Sequence, residues 1–326
     1  MLYSLVAGQE EIKSSLIKSI KNNQVSHCYI FEGPKGMGKY DLALIFAQSL
    51  LCIDFNEEPC NVCRNCIKIN SMNHPDLHII NQEESSIKRE NIDELIDSVY
   101  KKPYESNKKV YIIKDAHSMT TQAANTFLKT LEEPPGDSVM ILLTTNVNLL
   151  LPTIISRCQI IKFRNICKQT IKDYLKEHFN STEETIELAS NYSKGILNKA
   201  VNIINGNDNI LKDREEIIKL FDKIICTDSK IIYEVENYFE ENKDNIDLII
   251  EIMMLWIRDV MFVQNNIDNL VINIDFKPLA KKHAERMRIN TNIIEYLQYT
   301  SENIKSNVNY KLTIDNMLLK IQEVFK

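Results

Sequence analysis

The sequence predicts an α/β domain with a five-stranded parallel sheet, followed by domains built from helices alone. Three observations support this fold class. Five segments rich in Ile, Val and Leu alternate with helical patterns in the first half of the chain. A glycine-rich loop joins the first of these segments to a helix, and beyond residue 206 there is no glycine and a single proline. Apolar strands separated by helices are typical of a parallel sheet covered on both faces.

The predicted strands are short apolar segments, and they cover residues 28–33, 76–81, 110–115, 139–146 and 158–163. Apolar residues at helical spacing predict helices over residues 88–101 and 118–133 between them. We expect the sequence Pro134-Pro135-Gly136 to end the second of these helices.

The loop over residues 33–39, with the sequence GPKGMGK, has the spacing of a phosphate-binding P-loop. Gly33, Gly36 and Gly38 allow backbone N–H groups to face phosphate oxygens, and Lys39 precedes a predicted helix. The next residue is Tyr40, where the pattern requires Ser or Thr as a ligand of Mg²⁺. We therefore predict a degenerate P-loop at which ATP and Mg²⁺ are not bound productively.

The strand predicted over residues 110–115 carries a second departure from an ATPase site. In a working P-loop ATPase this strand is followed by an Asp that holds Mg²⁺ and then by a Glu that polarises the attacking water. Here Lys114 and Asp115 follow the apolar residues. In one register Lys114 takes the metal position, and in the other Asp115 points to the opposite face of the strand. Neither register supplies an Asp-Glu pair, so we expect no intrinsic ATPase activity; a substitution tolerated in an active enzyme is the alternative.

Four cysteines, Cys52, Cys60, Cys63 and Cys66, have the spacing of a metal site. Two-residue spacers allow thiolates to converge on one ion, and four sulfurs leave no open coordination position. This set predicts a structural Zn²⁺ with Zn–S distances of about 2.3 Å, within a module over residues 52–75. An iron–sulfur cluster is the alternative metal group, and free surface thiols are the alternative without metal.

The remaining cysteines, Cys28, Cys158, Cys167 and Cys226, are predicted to be small buried apolar residues. Charged residues occur early in the sequence, so we expect no signal peptide, no disulfide framework and a cytoplasmic location. We expect no membrane-spanning segment either. The net charge of −6 argues against autonomous, non-specific DNA binding.

The second half of the chain is predicted to be helical. One helix covers residues 170–178, a capping box of Ser181 and Glu184 starts a second, and a third covers residues 195–205. Six amphipathic segments then predict a helical bundle: 210–225, 230–241, 246–265, 278–288, 291–304 and 310–325. The expected domains are an α/β domain over residues 1–165, a small three-helix domain over 166–208 and an all-helical domain over 209–326.

Arg157 lies directly before the last predicted strand, at the rim of the sheet. An arginine in this position can be an ordinary surface ion-pair residue. It can equally reach across a subunit interface and stabilise phosphoryl charge in a neighbour's site, as an arginine finger does.

Taken together, these motifs resemble the delta-prime subunits of bacterial DNA polymerase III clamp loaders, a family within the AAA+ superfamily. The resemblance covers about residues 1–205 and, with fewer matches, the helical tail. The segments that carry it are residues 33–39, the four-cysteine module, and residues 110–117, 124–135, 156–158, 256–259 and 307–321.

The resemblance implies a non-hydrolysing subunit of a five-subunit ring that loads the sliding clamp onto primer–template DNA during replication. Its partners would be the tau/gamma and delta subunits, and Arg157 would complete the ATP site of an adjacent motor subunit. The three-helix domain would be a lid and the last domain a collar that holds the ring together.

The resemblance implies that the tau/gamma relatives would differ from this chain at three places. They would have Ser or Thr in place of Tyr40, Asp-Glu in place of residues 114–115, and a phosphate-contacting arginine in place of Asn198. An active ATPase motor of tau/gamma type is therefore the alternative function. A free-standing zinc-finger protein that binds nucleic acid is a third reading. It is disfavoured because no helix with basic, base-contacting residues interrupts the cysteines.

Overall fold

The computed structural model describes residues 3, 6, 8–81, 86–134, 138–226, 232–286, 292–306 and 308–325. Its contacts divide the chain into two compact units. The first comprises Met1–Asn180 and Ser193–Val201, and the second comprises Ser181–Tyr192 and Asn202–Lys326. The division into three domains stays a prediction.

A parallel sheet of five strands forms the centre of the first unit, as the sequence predicts. The strands lie in the order β2-β3-β4-β1-β5, and every pair is parallel. Their bounds are Cys28–Glu32 (β1), Leu77–Ile80 (β2), Lys109–Ile113 (β3), Ser138–Thr144 (β4) and Gln159–Lys162 (β5). The loop after β1 and the end of β3 therefore lie at the same edge of the sheet, on either side of β4.

Both faces of the sheet are buried because successive side chains of each strand point to opposite sides. In β3, Val110 and Ile112 belong to one core cluster, whereas Tyr111 and Ile113 belong to the other. The first cluster includes residues of α1 and α2, and the second includes residues of α4, α5 and α6. The helices that belong entirely to the first unit are Glu10–Lys21 (α1), Lys39–Leu51 (α2), Arg64–Asn70 (α3), Arg89–Val99 (α4), Thr121–Glu132 (α5), Pro152–Ile155 (α6) and Lys168–His178 (α7).

Helix α5 begins three residues later than the sequence predicts. Thr120 Oγ1 accepts a hydrogen bond from the Ala123 amide at 3.2 Å and caps the helix, while residues 116–118 form a separate 3-10 turn. The helix ends at Glu132. The predicted stop at Pro134-Pro135-Gly136 extends into residues 135–137, which lie outside the described residues.

The second half is helical, and all six predicted segments of the bundle contain a helix. The helices are Glu183–Tyr192 (α8), Leu197–Ile204 (α9), Ile210–Cys226 (α10), Ile232–Glu241 (α11), Ile246–Gln264 (α12), Lys277–Arg286 (α13), Asn292–Lys305 (α14) and Tyr310–Phe325 (α15). The capping residue of α8 was predicted incorrectly. Thr182 Oγ1, and not Ser181, accepts from the N3 amide of Thr185 at 3.2 Å, because the helix begins at Glu183. Among the described residues, no helix combines the length and apolar character needed to cross a membrane.

Buried polar side chains hold the second unit together. Asp259 is fully buried and accepts hydrogen bonds from the Asn273 amide and side chain, both at 2.8 Å. Asn273 in turn accepts from Tyr192 and Arg214, and Arg214 also pairs with Asp275. Each of these side chains has at least one partner, which helps to offset the cost of burying it, although the buried Arg214 Nε has none.

Candidate functional site

The glycine-rich loop joins β1 to the N-terminus of α2. Gly36 and Gly38 have φ angles of +81° and +77°, which side chains rarely adopt. A Cβ atom on Gly36 would also lie 3.1 Å from Ile196 Cγ2 and 3.4 Å from Asn198 Cβ. Glycine is therefore required at residue 36 both by the backbone conformation and by the close approach of residues 196–198.

Lys39 folds back onto this loop. Its ammonium group donates hydrogen bonds to the carbonyl oxygens of Gly33 and, at 2.7 Å, Pro34. Burial lowers the pKa of Lys39, although Asp115 opposes this shift. In this conformation Lys39 stabilises the carbonyl groups of its own loop.

Lys114 and Tyr40 meet at the end of the loop. The Lys114 amide donates to the Ile80 carbonyl at 2.9 Å, so the strand geometry of β3 continues to Lys114. The alternation along β3 then directs Lys114 to the same face as Ile112, where α2 packs. Its Nζ atom lies 3.6 Å from the centroid of the Tyr40 ring. Burial raises the pKa of Tyr40.

A cavity of about 910 Å³ opens beside these residues, and every residue that lines it belongs to the first unit. Three lysines line it, Lys35, Lys39 and Lys114, together with Asp41 and Asp115. Asn198 lines the same cavity. A lining with an excess of positive charge suits anionic groups better than a divalent cation.

Arg157 lies between α6 and the edge strand β5, at the surface of the first unit. Its guanidinium donates to the Thr153 carbonyl at 2.9 Å and to Glu132 Oε1 at 2.7 Å. The Arg157 side chain is 34% exposed and that of Glu132 is 51% exposed. An ion pair this exposed is worth about 0–1 kcal/mol, so it restrains the arginine only weakly.

The four cysteines converge as their spacing predicts. The Sγ atoms of Cys52, Cys60, Cys63 and Cys66 all lie within 4.8 Å of one another, and those of Cys60 and Cys66 are 3.9 Å apart. Four sulfurs about 2.3 Å from a zinc ion form a tetrahedron with edges of about 3.8 Å. Among the described residues, this is the one such group of potential metal ligands.

Backbone amides favour thiolates in this cluster. The amides of Cys60, Cys63 and Cys66 donate to the sulfurs of Cys52, Cys60 and Cys63 at 3.3–3.4 Å. Burial acts to raise the pKa of Cys63, but the amides of Ile53 and Cys66 and the neighbouring thiols outweigh it and lower the pKa to about 6. Burial raises the pKa of Cys66. The cluster has the donor set and the spacing of a closed structural zinc site.

Two supporting side chains of this module carry no sequence motif. Gln48, which is buried in α2, donates to the Cys66 carbonyl and to Asn61 Oδ1. Asn65 donates to the Leu51 carbonyl at 2.7 Å. These contacts join residues 13 to 18 positions apart, so local periodicity does not reveal them.

Asp76 is a further residue that the sequence analysis missed. Its buried carboxylate accepts hydrogen bonds from the amides of Tyr104, Glu105 and Ser106 at 2.6–2.8 Å. Ser106 also contacts Asn65 of α3, so Asp76 links the sheet to the cysteine module. The partners are separated by 28 to 30 residues, and no spacing rule connects them.

The prediction for the other four cysteines is correct in part. Cys28 is buried, and Cys158 is partly exposed and contacts Cys28. Cys167 is exposed, so its predicted burial was wrong; it directly precedes α7, and its thiol contacts Thr170 Oγ1 at 2.9 Å. The side chain of Cys226 lies outside the described residues.

Comparison with known families gives matches in both halves of the chain. The family described as "DNA polymerase III, delta subunit" matches residues 8–167, and the C-terminal family of the same description matches residues 208–323. The delta' subunit of DNA polymerase III from Bacillus subtilis (strain 168) is 34% identical over 320 residues, which cover 97% of this chain and 96% of that protein.

Two further relatives match in sequence or in fold. The tau subunit of DNA polymerase III from Bacillus subtilis is 34% identical over 204 residues, covering 61% of this chain and 36% of that protein. A gamma subunit-related protein of DNA polymerase III from Thermotoga maritima has a TM-score of 0.50 at 19% identity, covering 96% of this chain and 99% of that one. The second likeness is one of fold.

Proposed function

This chain belongs to the family of DNA polymerase III delta' subunits, and from that premise we propose that it is a clamp-loader subunit that does not hydrolyse ATP. In this proposal the chain supports a ring of loader subunits and donates Arg157 to the ATP site of a neighbouring motor subunit. Its role is to help load the sliding clamp onto DNA during replication.

The contact between Lys114 and Tyr40 is the observation that carries this proposal. An ATPase needs a hydroxyl after the P-loop lysine and an Asp at the end of β3, and both would bind one Mg²⁺. Here Tyr40 and Lys114 take those two positions, and the Lys114 ammonium group lies 3.6 Å from the centroid of the Tyr40 ring. A cation that already occupies this place repels Mg²⁺ by about 4 kcal/mol per unit charge at 4 Å and an effective dielectric constant of 20.

The position of Arg157 supports the second half of the proposal. The guanidinium is partly exposed beside an edge strand, and its partner Glu132 is more exposed still. Breaking this pair costs little, so the arginine is free to exchange Glu132 for phosphate oxygens of a neighbour. The planar guanidinium suits that exchange because it binds carboxylate and phosphate with the same geometry.

The four-cysteine cluster would hold a structural Zn²⁺ in this protein. Its ligands would be Cys52, Cys60, Cys63 and Cys66, which are already close to the required tetrahedron. The ion would join the end of α2 to the start of α3 and so fix residues 52–75 against the sheet. A closed set of four thiolates leaves no position for substrate.

The expected partners are tau/gamma and delta subunits in a hetero-pentamer in the cytoplasm. We assign a lid to residues 166–208 and a collar that holds the ring to residues 209–326. The sliding clamp and primer–template DNA are indirect partners. Any DNA contact would involve phosphates and helix N-termini.

An active motor of tau/gamma type is the second candidate, because 204 residues, 61% of the chain, match a tau subunit at 34% identity. Calorimetric titration of the isolated chain with ATP, with and without Mg²⁺, separates the two. A motor subunit binds ATP more tightly in the presence of Mg²⁺ and hydrolyses it, whereas the affinity of the proposed subunit for ATP should not increase with Mg²⁺.

The arginine-finger role is tested in a loader reconstituted with the motor and delta subunits. We expect Arg157→Ala to reduce ATP turnover at least tenfold without changing assembly measured by gel filtration, because an arginine finger contributes a factor of about 10³ or more. Arg157→Lys should recover little, since lysine lacks the planar fork. Arg164→Ala is the matched control, since Arg164 is exposed on the same unit. Unchanged turnover with Arg157→Ala would refute the role.

A further inference from the structure

Two cysteines outside the zinc cluster lie side by side on neighbouring strands. Cys28 is the first residue of β1, and Cys158 directly precedes β5. Tyr29 and Gln159 are paired in the parallel register. Cys28 and Cys158 each precede one of these residues, so the same register places the two cysteines opposite each other. Adjacent strands lie about 4.8 Å apart, which is within the Cα separation that a disulfide spans. The Sγ atoms of Cys158 and Cys28 are in direct contact, 2.7 Å apart.

The two thiols differ in access. Cys28 is fully buried in the core on one face of the sheet, whereas Cys158 packs against the same core and is partly exposed. A reagent in solution therefore reaches Cys158 first. Burial raises the pKa of Cys28, and the neighbouring Cys158 adds to the shift. The Cys28 thiolate is consequently scarce at neutral pH, and a step that uses it should become faster as the pH rises.

We propose that Cys28 and Cys158 are an oxidisable thiol pair that closes to an intramolecular disulfide in the presence of a low-molecular-weight disulfide. The Cys158 thiolate attacks one sulfur of the reagent and releases one thiolate, leaving a mixed disulfide on Cys158. The Cys28 thiol then gives its proton to water, and its sulfur attacks the Cys158 sulfur and releases the second thiolate. The protein loses two electrons and two protons, and the reagent is reduced to two thiols.

The disulfide would restrain Arg157, and this consequence rests on the proposed function. Arg157 is adjacent to Cys158, and its amide donates to the Ile154 carbonyl at 3.1 Å. A covalent bond from residue 158 to β1 fixes one end of the short turn that carries the arginine. Oxidation should therefore hinder the movement from Glu132 to a neighbour's site.

The thiol pair is tested on the isolated, zinc-loaded chain treated with oxidised glutathione. We expect peptide mapping without reduction to find a Cys28–Cys158 crosslink that is two hydrogen atoms lighter than the separate peptides, with zinc retained. The closing rate should rise about tenfold per pH unit below the pKa of Cys28, because the thiolate fraction rises by that factor. The Cys28→Ser variant should stop at a stable glutathione adduct on Cys158, whereas Cys167→Ser should close as the unaltered chain does.

Three results would overturn the thiol pair. The first is a stable glutathione adduct on Cys158 of the unaltered chain with Cys28 still reduced. The second is a crosslink from either cysteine to the zinc cluster. The third is no change at Cys158 while the exposed Cys167 reacts.

The effect on Arg157 has its own readout. Loader reconstituted with the oxidised chain should turn ATP over at least twofold more slowly and recover after reduction with dithiothreitol, and Cys158→Ser, which can form neither the crosslink nor the adduct at residue 158, should abolish this difference. A crosslink without any change in turnover would refute the restraint if Arg157→Ala lowers turnover in the same assay. If Arg157→Ala has no effect either, both the proposed arginine finger and the restraint of Arg157 are refuted. The Cys28–Cys158 disulfide found by peptide mapping is unaffected by that result.

Discussion

The ammonium group of Lys114 lies 3.6 Å from the centroid of the Tyr40 ring. The two residues come from different elements, the end of β3 and the first turn of α2. In an ATPase of this fold both positions would serve the same Mg²⁺. Here they contact each other, and a cation over an aromatic face contributes about 0.5–2 kcal/mol. The two substitutions are therefore coupled, and reversing one leaves the other without its partner.

This coupling predicts that Tyr40→Thr alone does not restore ATP hydrolysis. The new hydroxyl would lie beside the Lys114 ammonium, which repels the metal, and the chain should lose up to about 2 kcal/mol of stability with the cation–π contact. Adding Lys114→Asp should make ATP binding Mg²⁺-dependent, with at least a tenfold gain in calorimetric affinity. Tyr104→Thr is the control, because Tyr104 is 83% exposed. Motor-like turnover by the single Tyr40→Thr variant would contradict the coupling.

The Arg157–Glu132 pair predicts the outcome of Glu132→Gln. Since the pair is exposed, we expect the unfolding free energy to change by less than about 1 kcal/mol. ATP turnover by the reconstituted loader should stay the same or rise, because the arginine loses a competing partner. Glu133→Gln, at the next exposed residue, serves as the control. A loss of turnover as large as that of Arg157→Ala would mean that Glu132 positions the arginine instead of competing for it.

The parts of this molecule that local sequence patterns determine were predictable. Apolar runs gave the five strands, glycine spacing gave the loop at residues 33–39, and two-residue spacers gave the cysteine cluster, because each depends on residues close together in the chain. Contacts between distant residues were not predictable. Lys114 meets Tyr40 only because β3 and β1 flank β4, and Glu132 meets Arg157 across 25 residues. Burial of single cysteines also depends on tertiary packing, which explains the wrong prediction for Cys167.

The cysteine cluster predicts a zinc-dependent module. Cys63→Ser should reduce zinc, measured by mass spectrometry of metals, from about one ion per chain to a small fraction, since three thiolates no longer close the tetrahedron. Residues 52–75 should then be cleaved faster in limited proteolysis, because the ion joins the two ends of this excursion. Cys167→Ser, an exposed cysteine outside the cluster, should leave both unchanged. Purified chain without zinc and with unaltered proteolysis would contradict the assignment.

The buried carboxylate of Asp76 predicts a pH-dependent contribution to stability. Burial acts to raise its pKa, but the amides of Tyr104, Glu105 and Ser106 outweigh burial and lower the pKa. A lowered carboxyl pKa stabilises the fold above the unfolded value of about 3.9, and this stability is lost as the pH falls towards the folded value.

Asp76→Asn should therefore cost about 1–3 kcal/mol at pH 7, because an amide group faces amide donors, and the difference should shrink as the pH falls below about 3.9. Amide hydrogen exchange at residues 104–106 should be faster in the variant. Asp97→Asn, an exposed position on α4, is the control. Equal exchange rates at residues 104–106 in the unaltered chain and in Asp76→Asn would show that these hydrogen bonds do not hold the loop.

The contact between Trp256 and His283 predicts that the second unit loses stability on mild acidification. Trp256 donates to His283 Nδ1 at 3.1 Å, so the neutral ring carries its proton on Nε2, 2.8 Å from Asp222. Burial lowers the pKa of His283; Asp222 opposes this shift, whereas Lys282 and Arg286 reinforce it. The unfolded chain thus takes up a proton near pH 6.5 that the folded chain does not, and stability falls as the pH drops below that value.

His283→Gln should flatten this dependence, because glutamine can still accept from Trp256 and donate to Asp222 without titrating. Trp256 is the single tryptophan of the chain, so its fluorescence during urea unfolding between pH 7.5 and 5.5 follows the second unit. His283 is also the single histidine in that unit's sequence, and His178→Gln, on an exposed residue of the first unit, should leave the pH dependence intact. An identical loss of stability in His283→Gln would assign the effect to acidic groups instead, since no other imidazole is present in the unit.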